Sequence, residues 1–252
     1  MHQLWPADVT PPTELDDATL ERLYAYPEPL DRPLLRVNFV SSLDGAVTVA
    51  GVSEGLSSKP DKRVFALLRD LSDVVLVGLG TALVEGYRGV KRTEVRLERR
   101  RRLGRSEVPP VAVVTRTCAL DPLAPLVTDT VAPLVVLTCA AAPEERRTAL
   151  AAAGADVVVV GDDEVDLPAA LAALDERGLR RICCEGGPAL FGSLVAADLV
   201  DELCLTLSPL LTSGDAGRIS RGPAAEVPRR LRLASVLHAE DSLLLRYARQ
   251  AG

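Results

Sequence analysis

The segment Asp73-Val-Val-Leu-Val-Gly78 constrains this chain more than any other. Every position between its ends is apolar, so it lacks the period-two alternation of a strand with one wet face. Such a run is buried on both sides, as inside a parallel sheet covered by helices. A helix pattern leads into it. Ser58 can cap, Pro60 suits the first turn, and Asp61 complements the positive end. Val64, Leu67, Leu68 and Leu71 then fall on one apolar stripe.

The alternation extends along the chain. Leu34–Val40 reads as the first strand, entered after Pro27, Pro29 and Pro33 break the chain. Further strands are predicted at 111–115, 134–138, 156–160 and 180–184, and helices at 143–153, 168–177 and 188–197. This β-α order predicts an α/β fold with a mainly parallel central sheet flanked by helices. The end differs in character. Leu203–Pro209 follows a short connection, and Leu231–His238 and Leu243–Arg246 flank Ala239-Glu-Asp-Ser242 as a hairpin, which predicts antiparallel C-terminal strands. Residues 13–25 read as a short surface helix. With no repeat and no Ser/Gly linker, the expectation is a single domain over 33–252 behind an N-terminal extension, 1–32.

At 252 residues and 48% apolar, the chain can bury roughly 70–75% of its extended surface, so no disulfide or metal staple is required. Aromatics are only 3%, which makes the expected core aliphatic. The net charge of −6 argues against nucleic-acid or anionic-membrane partners. One local exception is Arg99-Arg100-Arg101-Arg102, with Arg96 and Arg105 beside it. It reads as a solvated loop or frayed helix end, the sharper alternative being contact with an anionic ligand. Residues 1–10 carry no basic segment followed by an apolar run, and no stretch approaches about 18 apolar residues. A cytoplasmic location is the corresponding expectation. The five cysteines form no Cys-x-x-Cys pair, and Cys183 and Cys184 point to opposite faces of one strand; they read as small buried hydrophobes in a reducing compartment. With only His2 and His238, no metal site is expected.

Two turns have the composition of phosphate cradles. Gly78-Leu79-Gly80-Thr81 follows one buried strand, and Gly186-Gly187-Pro188 follows another and opens a helix. Glycine lets backbone approach a pyrophosphate, while a helix start offers free N–H groups. Either turn alone is as well explained by tight chain reversal; two in one sheet point to a dinucleotide. The pattern is not a Rossmann fingerprint, because Leu83 stands where its third glycine belongs. Arg116, in Thr115-Arg116-Thr117 at a strand end, could meet a 2′-phosphate and so select NADPH.

Three carboxylates flank the expected cleft as catalytic candidates: Asp44 in the Ser-Leu-Asp-Gly turn, Asp61 at a helix start, and Glu185 before the diglycine. Each also has a plain role as a cap or turn residue. A carboxylate at the end of a buried strand, as Glu185 is, needs a partner, and the N–H groups of a substrate ring would supply one. Two other motifs fail on context. Gly51-Val-Ser53-Glu-Gly55 matches a hydrolase elbow but lies in a polar loop, and His238-Ala-Glu240 lacks the Pro-Cys-x-x-Cys of zinc deaminases.

Taken in order, Val37–Gly45, Ser72–Thr81, Glu185–Ser193, Val200–Leu203 and Ser208–Leu210 resemble the reductase domain of bifunctional riboflavin-biosynthesis proteins, over about residues 33 to 248. The resemblance implies a dihydrofolate-reductase-like fold, NADPH as hydride donor and a homodimer. It implies 5-amino-6-(5-phosphoribosylamino)uracil as substrate, reduced at C1′ of the opened ribose. Gly78, Gly80, Thr81, Gly186, Gly187 and Leu190 would meet the cofactor, with its 2′-phosphate near Thr115 and Arg116. Asn38, Ser42 and Asp61 would meet the substrate. Within this fold, reduction of dihydrofolate or another pteridine is the main alternative, and a non-catalytic NADPH-binding protein is the alternative from another class. The chain departs from the family in lacking the deaminase domain and in its Val47–Lys59 loop, which has no Trp-Ile-Thr-Gly-like segment.

Overall fold

The structure is a computed structural model and describes residues 1–6, 14–222 and 228–250. Its strands are β1 (His2–Trp5), β2 (Leu34–Ser42), β3 (Val74–Gly78), β4 (Val111–Val114), β5 (Val135–Thr138), β6 (Asp156–Val159), β7 (Arg181–Cys184), β8 (Glu202–Ser208), β9 (Leu231–Ala239) and β10 (Ser242–Arg249). Its helices are α1 (Asp17–Tyr24), α2 (Lys59–Leu71), α3 (Leu79–Val84), α4 (Glu94–Arg102), α5 (Pro125–Thr128), α6 (Glu144–Ala152), α7 (Leu167–Glu176) and α8 (Pro188–Ala196).

All ten strands join one sheet in the order β1-β9-β10-β8-β2-β7-β3-β4-β5-β6. From β8 to β6 the neighbours are parallel, and β8, β10, β9 and β1 pair antiparallel. The expected mainly parallel sheet with antiparallel C-terminal strands is therefore present. Val74, Val75, Leu76 and Val77 are all at most 1% exposed, as their unbroken apolar run requires. Cys183 and Cys184, adjacent in β7, pack into separate cores on opposite faces of the sheet, and all five cysteines are buried and unpaired. Among the described residues no helix is long and apolar enough to cross a membrane.

Two parts of the chain differ from the sequence reading. Residue 13 lies outside the described residues, and the N-terminal helix is confined to Asp17–Tyr24, capped by Asp16. Before it, His2–Trp5 adds an edge strand to β9, a pairing that a four-residue segment does not announce. The arginine run is not a solvated loop or a frayed end. It closes α4, and Arg100 is fully buried, donating to the carbonyls of Asp70 (3.0 Å) and Ser72 (2.6 Å) at the end of α2. Arg96 and Arg99 bind the buried Asp70, and Arg102 binds Glu21 at 2.7 Å. The physical reason is local. The last carbonyls of a helix lack internal partners, and cations there satisfy them and complement the dipole.

Candidate active site

Strand β7 inserts between β2 and β3, which are consecutive in the sequence, so the strand order switches at this point. In open α/β sheets the crevice beyond the carboxyl ends at such a switch is where ligands bind. The two glycine turns meet there. Glu185 N–H donates to Leu76 O (2.9 Å) and Gly78 N–H to Gly186 O (2.8 Å), which ties the end of β7 to that of β3. Gly186 has φ +85° and lies against Phe39, whose Cζ would be 2.7 Å from an added Cβ. At Gly187, which heads α8, an added Cβ would overlap the Thr81 hydroxyl. The backbone angle at Gly186 thus favours glycine, and at Gly187 any side chain would displace the Thr81 hydroxyl.

A cleft of about 790 Å³ opens on one side of these turns, lined by Asn38, Ser57, Asp61, Arg69, Tyr87 and Glu185 among others. A groove of about 700 Å³ lies on the other side and includes Gly78, Thr115, Arg116, Glu164, Leu190, Arg218 and Arg221. Gly80, Thr81, Gly187 and Pro188 line both and form their common wall. Of the residues expected to meet a cofactor, only Gly186 lines neither. Its role is the hydrogen bond beneath the wall.

The carboxylates separate sharply. Asp61 is 6% exposed, accepts a hydrogen bond from the Ser57 hydroxyl, and lines the cleft, while its backbone N–H is capped by Ser58 at 3.3 Å. Glu185 also lines the cleft, but its carboxylate is already engaged. Arg69 donates to its two oxygens at 2.6 and 2.7 Å, and the Tyr87 hydroxyl donates to Oε2 at 2.6 Å. The expectation that a substrate ring supplies the partner of Glu185 is therefore corrected, because the protein supplies it. Burial by itself disfavours the Arg69 cation, but the Glu185 carboxylate outweighs this and holds the guanidinium protonated. Burial, then the same carboxylate, push the Tyr87 phenol well above its ordinary value, so it remains a neutral donor. The Arg69 guanidinium also lies 4.4 Å from the Phe65 ring centroid and 5.4 Å from that of Tyr87.

Asp44 and Ser42 do not line the cleft. Asp44 is exposed and accepts from the Ser42 hydroxyl and from the backbone N–H groups of Thr212 (3.0 Å) and Ser213 (2.7 Å). Ser42 is fully buried and also accepts from Ala46 N–H at 2.8 Å. Asp44 is expected to be catalytic and Ser42 substrate-binding, and the contacts give the pair a structural role: they pin the turn after β2 to the loop after β8. The Ser42 hydroxyl first, then the Ser213 N–H, hold the Asp44 carboxyl down at about 2. A folded-state pKa below the unfolded one stabilises above the unfolded value and loses that contribution as pH falls through the folded value. Asp44→Asn is accordingly expected to be less stable than the parent at neutral pH, with the gap closing between about pH 4 and 2. Turnover should stay close to the parent's. Thermal melting across that range and initial rates check both, and a large loss of turnover in a folded variant would return Asp44 to the catalytic set.

Arg69, Tyr87 and Ser57 were not singled out from sequence. The one usable signal was the demand of Glu185 for a partner, which did not say which of the many arginines meets it. Ser53 lines the cleft, whereas His238 lies across from His2 in a separate hollow, so no hydrolase pair forms.

Residues 33–245 match the RibD C-terminal domain family. The chain is 35% identical over 185 residues to the 2,5-diamino-6-ribosylamino-4(3H)-pyrimidinone 5′-phosphate reductase of Archaeoglobus fulgidus, covering 73% of this chain and 83% of that protein. It is 32% identical over 187 residues to the protein of the same name from Methanothermobacter thermautotrophicus, covering 74% and 82%. Among solved structures, a pyrimidine reductase-like protein from Corynebacterium diphtheriae shares the fold with a TM-score of 0.82 at 24% identity, over 92% of this chain and 99% of that one. Acinetobacter baumannii RibD does so with a TM-score of 0.68 at 19% identity, over 86% and 58%.

Proposed function

We propose, from the premise that this chain belongs to the RibD C-terminal domain family, that it is an oxidoreductase using NADPH to reduce the opened ribose of a ribosylamino-pyrimidine 5′-phosphate. The observation that carries this reading is the buried Asp61 carboxylate in a cleft whose far wall is the pair of glycine turns. The turns fit a dinucleotide. Gly80 faces both cavities, and the space its missing Cβ would take is open. Backbone at Gly78, Gly80 and Gly187, with the Thr81 hydroxyl, would hold the pyrophosphate, and Leu190 and Thr115 would line the adenosine side. When bound, the nicotinamide supplies a hydride.

The protein's own part is positioning. Asp61 reads the ring. A 2-amino-4-pyrimidinone presents N3–H and the 2-amino group side by side, and a carboxylate accepts both together. A uracil offers its N3–H between two carbonyls. Meeting the ring by its N3 edge, Asp61 favours the 2,5-diamino ring, which the names of the two relatives carry, over 5-amino-6-(5-phosphoribosylamino)uracil. The Arg69–Glu185–Tyr87 cluster forms a rigid polar wall beside it. Lys91, at the cleft, offers a cation to the 5′-phosphate, and Asn38 offers an amide to the sugar. We take residues 33–252 to act as one reductase domain and the enzyme to work as a cytoplasmic homodimer, which sedimentation equilibrium would test.

Cofactor oxidation, followed by the loss of near-ultraviolet absorbance, is the direct assay. It should proceed with the diamino substrate, more weakly with the uracil, and not with dihydrofolate. Asp61→Asn is expected to raise KM for the diamino ring about a hundredfold, the loss of one or two hydrogen bonds to a charged group. An unchanged KM in this variant would remove Asp61 from the substrate.

A further inference from the structure

The sequence reading gives the cofactor's 2′-phosphate to Arg116, yet the groove contains a carboxylate that already engages it. Arg116 Nη1 lies 3.1 Å from Glu164 Oε1, and both side chains are mostly exposed. A phosphate approaching Arg116 also meets the Glu164 carboxylate beside it, which repels it. The same groove is also lined by Arg218 and Arg221. Both are exposed, and neither side chain makes an ion pair or hydrogen bond among the described residues.

The backbone that carries them is held in place. Arg221 N–H donates to Pro188 O at 2.9 Å, in the first turn of α8. Gly192, one turn on, packs so closely that an added Cβ would overlap the Arg221 carbonyl. Between the two arginines, Ile219 packs against the core that includes Leu190 and Phe191. The segment is thus clamped to the helix whose start forms the common wall, and two guanidiniums without an ion-pair partner among the described residues line the groove.

We infer that Arg218 and Arg221, on the connection between β8 and β9, are the residues that read the 2′-phosphate and set the preference for NADPH over NADH. This rests on the reading that a dinucleotide occupies the groove. A guanidinium's fork of donors matches phosphate oxygens, and a phosphate monoester near two such cations gains more than a ribose hydroxyl.

The test is titration calorimetry with adenosine 2′,5′-bisphosphate and adenosine 5′-monophosphate, which differ only in the 2′-phosphate, repeated with NADPH and NADH. In the Arg218→Gln/Arg221→Gln variant, affinity for the bisphosphate and NADPH should fall about tenfold to a hundredfold. Affinity for the monophosphate and NADH should stay within about threefold, which itself shows the groove is intact. Arg116→Ala/Glu164→Ala, which removes that pair as a unit, should leave the bisphosphate preference standing. The assignment is overturned if both classes of ligand weaken together, if neither does, or if only the Arg116/Glu164 variant loses the preference. Parent protein that binds none of the four ligands would overturn the dinucleotide reading as well, so the two failures are distinguishable.

Discussion

Gly187→Val is expected to lower NADPH affinity about a hundredfold or more while the sheet stays folded. Gly187 heads α8, lines both cavities, and leaves no space for a Cβ because the Thr81 hydroxyl occupies it. A larger side chain forces either Thr81 to turn away or the first turn of α8 to retreat. Either movement separates the groups that would hold the pyrophosphate, and each hydrogen bond lost to a charged oxygen is worth about 1.5–3 kcal/mol. The folding cost is that of local overpacking, about 1–3 kcal/mol, or a melting decrease of about 2–12 °C for a chain this long. Calorimetric titration beside a melting curve separates the two effects. Parent-like affinity in the folded variant would contradict the cradle assignment.

Arg69→Met is expected to be the most destabilising single change in the site. Glu185 has a side chain only 2% exposed and depends on Arg69 for its charge partner. Removing the cation alone leaves a buried carboxylate with only the Tyr87 hydroxyl as partner, a loss of about 3–5 kcal/mol. For this chain length that corresponds to a melting decrease on the order of 6–20 °C. Adding Glu185→Leu removes the stranded charge and should recover much of the stability, but not turnover, because the polar wall of the cleft is gone. Tyr87→Phe, which deletes one donor to the same carboxylate, should cost less, about 1.5–3 kcal/mol. Chemical denaturation of the three variants checks the order. Equal stability of Arg69→Met and the parent would show that Glu185 does not rely on the ion pair.

The parts of this architecture that depend on local pattern were legible in the sequence. The unbroken run of β3 and the stripe on α2 announce a covered parallel sheet, and the glycines after β3 and β7 mark the turns that meet. What sequence could not supply was which side chains those turns bring together. Glu185 was recognised as needing a partner, but Arg69 lies 116 residues away and reaches it only because β7 inserts between β2 and β3. Asp44 and Asp61 look alike in sequence, each shortly after a pair of serines near an element end. Their difference, one held by the loop after β8 and the other facing the cleft, is purely tertiary. The arginine run is opaque in sequence for the same reason, since the carbonyls that Arg100 satisfies belong to the end of another helix.

The most direct test of the central claim is to incubate the purified protein with NADPH and 2,5-diamino-6-ribosylamino-4(3H)-pyrimidinone 5′-phosphate and identify the product by mass spectrometry. The account predicts one equivalent of NADPH oxidised for each ribitylamino product formed, two hydrogens heavier than the substrate, with Asp61→Asn impaired. Absence of that product while the protein still binds NADPH tightly would contradict it, and would leave a cofactor-binding protein without this reaction.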